Sequence, residues 1–294
     1  MKNRYIISSI LLILTVVTAK ADAFFQYPII PDSIQTLTGR CNFQARHFWD
    51  FCDLKRAFSS KARMAEEFKG WLEILQMADA DTAVTSLKAF MGKLEKQPKD
   101  MLFLADVAEG ELYSDTAKAW VDELYIPIAE AVAGNKRIDK ASKARYEHQA
   151  RILKNSLPGR RIPSIPYTRL DGTKGDVAAD SAQVVVLFIN DPECTDCFMA
   201  RVRLNADVNT SQLIDEGVVK IVSLSAVEPD DEWKKEAASY PSTWVVAANP
   251  DVDLTMDMRG GTPSFYILDR NHKIRFKHLT VDQVLDIMRQ LKKR

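Results

Sequence analysis

The chain has 294 residues, of which 46% are hydrophobic and 27% charged, and lysine plus arginine match aspartate plus glutamate at 40 each. That length predicts two domains, and that composition excludes a disordered or collagen-like chain. Balanced charge leaves no bulk field to draw the protein to nucleic acid or anionic lipid, so proteins and small molecules are the expected partners.

The first 23 residues, "MKNRYIISSILLILTVVTAKADA", begin basic at Lys2 and Arg4 and continue through an apolar run from Ile6 to Val17. They close on small-x-small steps at Ala19-Lys20-Ala21 and Ala21-Asp22-Ala23. This pattern predicts a cleaved signal peptide, the apolar run being short for a bilayer span. No cysteine stands near the cleavage steps to carry a lipid. The expected location is periplasmic or otherwise exported, with no stable membrane anchor after cleavage, in a compartment where disulfides persist.

Residues 24–157 read as an all-α domain. Apolar residues recur at helical spacing at Phe68, Trp71, Leu72 and Leu75, and again at Leu87, Phe90, Met91 and Leu94. Met101, Leu104, Ala105 and Ala108 suggest a further helix, as do Trp120, Leu124 and Ile128, the last expected to kink or divide at Pro127. The more charged stretch from Ile138 to Leu153 completes a bundle of about five helices. Cys41 and Cys52 lie at its entry and are candidates for a structural disulfide. A second redox relay and two free buried thiols are the alternatives.

Composition changes at "LPGRRIPSIPYTRLDGTKG", where Pro158, Pro163 and Pro166 forbid a continuing helix, and the domain boundary is placed after Leu157. Strand and helix signals then alternate. A strand at Tyr167 to Leu170 meets an Asp171-Gly172 turn, and Val184 to Ile189 reads as a strand buried on both faces. A helix from Cys194 to about Leu204 follows, then a strand at Val218 to Leu224, a helix after Asp230, and a strand at Trp244 to Ala247. The end is a strand at Ser264 to Leu268, a turn at Asn271-His272, a strand at Ile274 to Lys277, and an amphipathic helix from Val281 to Leu291. The order is α/β with a mixed sheet flanked by helices.

The chemistry-bearing stretch is "INDPECTDCFMARVRL", with Cys194 and Cys197 two residues apart behind an apolar run. Redox centre, half of a zinc site and structural staple are the three readings. Zinc needs two more ligands, and neither a second Cys-x-x-Cys nor a Cys-x-x-His accompanies the pair. The four histidines, His47, His148, His272 and His278, are scattered without ligand spacing and read as surface or satisfied residues. Neither metal nor cofactor is expected. A cysteine opening a helix has its thiolate favoured by the unpaired backbone N–H groups, which marks Cys194 as nucleophile. Cys197, one turn on, is placed to resolve a mixed disulfide.

A strand followed by Cys-x-x-Cys opening a helix, with "GGTPSFYILD" much later entering a strand-turn-strand-helix ending, resembles the thioredoxin-like superfamily. The segment from Leu157 through Cys197 is similar to the start of exported thiol-disulfide oxidoreductases of the AhpC/TSA-related, TlpA-like kind. The helical region, including "HFWDFCDL", resembles an uncharacterised domain found upstream of such modules. The resemblance implies a thioredoxin-like fold for residues 158–294, a cis peptide bond before Pro263, and Thr262 with Pro263 as the backbone platform that receives a substrate strand.

The departures from that family are specific. Glu193 stands where an aromatic residue is common, Thr195-Asp196 replaces Gly-Pro, and Phe188 occupies the position of a buried carboxylate. Asp191, Glu193 and Asp196 disfavour a thiolate at the pair, and a less acidic nucleophile accompanies a more reducing couple. The expected activity is that of a reductase or isomerase on protein or small-thiol disulfides, reset by a redox partner. The alternative is a partner-binding module with vestigial cysteines.

Overall fold

The computed structural model describes residues 24–293 apart from Ser181, so the expected signal peptide lies outside the described residues. Of these, 24–113 and 117–139 form one compact unit, and 114–116 with 140–293 form another. No helix among the described residues is long and apolar enough to cross a membrane.

The first unit is all α. Its helices are α1 (Leu37–His47), α2 (Leu54–Ala57), α3 (Lys61–Met77), α4 (Ala80–Lys93), α5 (Pro98–Leu112) and α6 (Asp122–Gly134). The Thr36 and Asp53 side chains cap α1 and α2 by accepting backbone N–H groups one turn in. Met64, Phe68, Trp71, Leu72 and Leu75 make the buried stripe of α3, and Leu87, Phe90 and Met91 that of α4. Phe90 stacks on Trp49 at 4.6 Å and meets Trp71 edge-on at 5.1 Å, while the Trp71 indole donates to the Ala45 carbonyl at 3.2 Å. These aromatic contacts give the bundle its centre. Pro127 lies inside α6 without dividing it. Its ring is buried where α6 packs on α4 and α5, and that packing outweighs one lost hydrogen bond. Trp120 precedes the helix rather than opening it.

The second unit opens with α7 (Lys140–Asn155), which the sequence assigns to the helical domain. The compact second unit thus takes in the chain from Lys140, while the compositional break falls after Leu157. The reason is local bonding at the end of α7: Asn155 donates to the Thr255 carbonyl at 3.0 Å, and the Asp257 N–H donates to Ser156 Oγ at 2.9 Å.

Seven strands follow, β1 (Pro166–Arg169), β2 (Lys174–Asp176), β3 (Val184–Asn190), β4 (Val219–Ser225), β5 (Val245–Ala248), β6 (Ser264–Asp269) and β7 (Ile274–Leu279). Their order is β2-β1-β5-β4-β3-β6-β7, with β3, β4 and β5 mutually parallel and the outer pairs antiparallel. Helices α8 (Thr195–Ala206) and α9 (Val208–Asp215) connect β3 to β4, α10 (Asp231–Ala237) connects β4 to β5, and α11 (Val281–Lys292) ends the chain. The mixed sheet flanked by helices is the architecture that the sequence predicts. It did not reveal α9, which restarts after one residue because the Asp207 side chain accepts the Thr210 N–H and caps a new helix.

Side chains of β3 alternate between two cores. Val186 and Phe188 join Cys197, Ala200, Leu204, Phe265 and Met288 on one face of the sheet. Val185, Leu187 and Ile189 join Val222, Leu224, Met256 and Tyr266 on the other. The cysteine pair is thus anchored to one core and the chain leading to Pro263 to the other.

Candidate active site

The site forms where β3 ends. Asn190 is fully buried; its amide donates to Ser223 Oγ at 2.9 Å, and its carbonyl accepts from Ser225 Oγ at 2.9 Å and from the Tyr240 hydroxyl at 3.3 Å. These bonds tie the ends of β3 and β4 together just before the reactive loop. In that loop the Cys194 N–H donates to the Asp191 carbonyl at 3.1 Å, and Asp191 Oδ1 accepts the Glu193 N–H at 2.9 Å. The turn delivers Cys194 in extended conformation to the N-cap of α8.

At that cap Cys194 Sγ accepts the Cys197 N–H at 3.0 Å, so sulfur takes the role usually played by a hydroxyl or carboxylate oxygen. Cys194 and Cys197 are disulfide-bonded, with Cα atoms 5.2 Å apart. Cys194 is half-buried and Cys197 is 2% exposed, so an incoming group meets Cys194 first. The Thr262 carbonyl oxygen lies 3.5 Å from Cys194 Sγ, and the Thr262-Pro263 peptide bond is cis. Gly260 and Gly261, both at positive φ, turn the chain into this position. The four residues singled out in the sequence for chemistry and for substrate contact therefore share one locus.

Solved structures resemble this chain in whole or in part. A thioredoxin-like protein from Bacteroides caccae is 21% identical and superimposes with a TM-score of 0.71, covering 92% of this chain and 99% of its own. The chain has the thioredoxin-like fold. The C-terminal domain of an uncharacterized protein from Bacteroides fragilis matches 46% of this chain and 99% of its own, at 25% identity and a TM-score of 0.43. The thioredoxin domain of a thiol-disulfide oxidoreductase from Bacteroides vulgatus matches 46% of this chain and 97% of its own, at 20% identity and a TM-score of 0.40. Residues 12–156 match the family described as a domain of unknown function, DUF5106. No curated protein gave a significant match.

Within the thioredoxin-like fold, Phe188 stacks on Phe265 at 4.7 Å with the rings 11° from parallel, and both are fully buried. Behind the cysteines this sheet face is therefore apolar. Polar groups instead collect on the α10 side. Arg201, 9% exposed and one turn beyond Cys197, lies over the Tyr240 ring at 4.2 Å and donates to Ser239 Oγ at 2.7 Å. Burial pushes the Glu236 carboxyl up; the charge of Arg201 opposes this and that of Asp191 adds to it. Sequence reading missed Arg201 and Glu236. The i, i+4 relation of Arg201 to Cys197 was the available signal for the first, and Glu236 has none.

Cys41 and Cys52 are free thiols, which corrects the structural disulfide expected of them. Cys41 is buried on α1, and Cys52 lies half-buried just before α2. Burial pushes the Cys41 thiol up. The Cys52 thiol is pushed up to about 11 by burial and by the charges of Asp53 and Glu67. Of the histidines, His272 is buried with Nε2 2.7 Å from the Asp180 carbonyl, and His278 lies 2.8 Å from Asp257 Oδ2. Among the described residues no group of three or more His, Cys, Asp or Glu side chains is placed to hold a metal ion.

Proposed function

We propose that this chain is an exported thiol-disulfide oxidoreductase acting as a reductase or isomerase on disulfides. The observation that carries the reading is a half-buried Cys194 at the N-cap of α8, with Cys197 buried one turn behind it and the Thr262 carbonyl beside it. In the reduced form the Cys194 thiolate attacks one sulfur of a substrate disulfide and expels the other as thiolate. The Cys197 thiolate then attacks Cys194 Sγ of the mixed disulfide and releases the second substrate sulfur. The substrate gains two electrons, Cys194 and Cys197 lose them, and a dithiol partner restores the pair.

The helix N-terminus favours the Cys194 thiolate, and the nearby Asp191, Glu193 and Asp196 oppose it. That opposition supports the reducing direction. Thr262 and Pro263 serve as the platform on which an extended substrate segment pairs. With Phe188 in the sheet, protons reach Cys197 through water or through Asp191 and Glu193.

The test is the equilibrium potential of the Cys194/Cys197 couple in the mature protein, with Cys194→Ser as control. A reversible two-electron couple absent from the variant, at or below about −270 mV, is expected; a value nearer about −120 mV would reverse the direction of the reaction. A pair that cannot be cycled in the folded protein would sink the reading and leave a binding module built on this scaffold.

A further inference from the structure

Six residues before Pro263 stands Asp257, fully buried, with each of its polar groups engaged. Its N–H donates to Ser156 Oγ at 2.9 Å, and its carbonyl accepts from the Tyr266 hydroxyl at 2.6 Å. Its carboxylate meets three basic side chains. Arg259 grips it with Nε at 2.9 Å and Nη2 at 2.6 Å, Lys277 Nζ lies at 2.7 Å, and His278 Nε2 at 2.8 Å. The Arg259 N–H adds a bond to Oδ1 at 3.2 Å. A salt bridge between buried groups contributes little net stability, but removing one partner costs much, so such a node favours one geometry strongly.

The placement of the node gives it a role. β6 and β7 are antiparallel, with Leu279 opposite Phe265 and Phe276 opposite Ile267, which sets Lys277 and His278 in the irregular step opposite Tyr266, in the first half of β6. The carboxylate therefore joins the beginning of the loop 257–263, through Arg259, to the strand paired with β6, the strand into which the loop runs. Between the two anchors the loop turns on Gly260 and Gly261, with the Gly261 N–H bonded to the Met258 carbonyl at 3.0 Å. Thr262 follows at once, with its carbonyl at Cys194 Sγ.

We propose that Asp257 is a positioning residue: its carboxylate, through Arg259, Lys277 and His278, holds the 257–263 loop so that the Thr262 backbone stays beside Cys194. The proposal rests on the oxidoreductase reading and sharpens its substrate class. A fixed backbone edge serves a disulfide that brings an extended peptide backbone to pair with it, and does nothing for a small disulfide that has none.

The experiment compares reduction of a disulfide-bonded peptide and of bis(2-hydroxyethyl) disulfide, with dithiothreitol as reductant, for the mature protein, Asp257→Asn and Lys277→Met. The lysine variant keeps the Asp257–Arg259 pair and so retains the fold if the asparagine variant does not; near-ultraviolet circular dichroism checks both. Hydrogen exchange of the loop amides is read alongside. Asp257→Asn is expected to raise KM for the peptide at least tenfold with kcat within about threefold, and to leave kcat/KM for the small disulfide within twofold. Loop exchange should accelerate, and Lys277→Met should show a smaller change in the same sense. Equal losses on both substrates, or no change on either in a folded variant, would overturn the positioning role while the oxidoreductase reading stands. Wild-type protein that reduces neither substrate overturns the oxidoreductase reading itself, and the role of Asp257 with it.

Discussion

Cys194 and Thr262 are 68 residues apart in sequence and 3.5 Å apart at Sγ and carbonyl oxygen. Both were legible, the first from its Cys-x-x-Cys spacing behind an apolar strand, the second from a Thr-Pro step entering a later one. Asp257 was not, because its three basic partners come from a loop and from the end of β7, and no periodicity relates them. Burial alone would raise its carboxyl, but the hydrogen bonds of Arg259 and His278 and the charges of Lys277 and Arg259 hold it well below the usual carboxylate range. The sign follows: a carboxyl depressed by folding stabilises the native state above its unfolded value of about 3.9 and loses that contribution as pH falls below it. Wild-type stability in urea should therefore drop more steeply between pH 4.5 and pH 2.5 than that of Asp257→Asn, and parallel slopes would contradict this. The free cysteines give a second expectation. A thiol at about 11 is ionised to roughly one part in a thousand at pH 8, so after reduction iodoacetamide should label Cys194 at least tenfold faster than Cys52, as read by mass spectrometry.

Elements with one wet face were read closely, because burial imposes a period on their side chains. The stripes of α3 and α4 are of this kind, and so is α11, whose Val284 and Met288 are buried. β3 was recoverable for the opposite reason, being apolar on both faces as a central strand must be. What escaped were features set by single side chains or by packing. Asp207 restarts the chain as α9, and the buried ring of Pro127 lets α6 continue through it. Caps are visible in sequence only when both halves are present, as at Thr280 and Gln283, whose side chains each accept the other's backbone N–H at the start of α11. Thr280→Ala should cost about 1 kcal/mol in urea unfolding, with the potential of the Cys194/Cys197 couple unchanged, since α11 meets the site only through the shared core. A shift of the potential would show that α11 reaches the cysteines more directly than this packing allows.

At the scale of the whole molecule, the change of composition after Leu157 and the division between compact units do not coincide, and α7 lies between them. The prolines at 158, 163 and 166 are conspicuous in sequence because they forbid helix, but forbidding helix does not decide which unit the preceding helix joins. That is decided by tertiary bonds, here Asn155 to Thr255 and Ser156 to Asp257. Two fragments distinguish these boundaries. A fragment of residues 140–294 keeps both bonds, and one of residues 158–294 lacks them. In the shorter fragment the buried Asp257 N–H loses its acceptor, a loss of about 1–3 kcal/mol, at the node that carries the 257–263 loop. The longer fragment should unfold cooperatively at a higher urea midpoint, and the shorter one should show faster hydrogen exchange across 257–263 even where the rest of its sheet stays protected. Equal midpoints and equal exchange would place α7 outside the thioredoxin-like unit and return the boundary to the prolines.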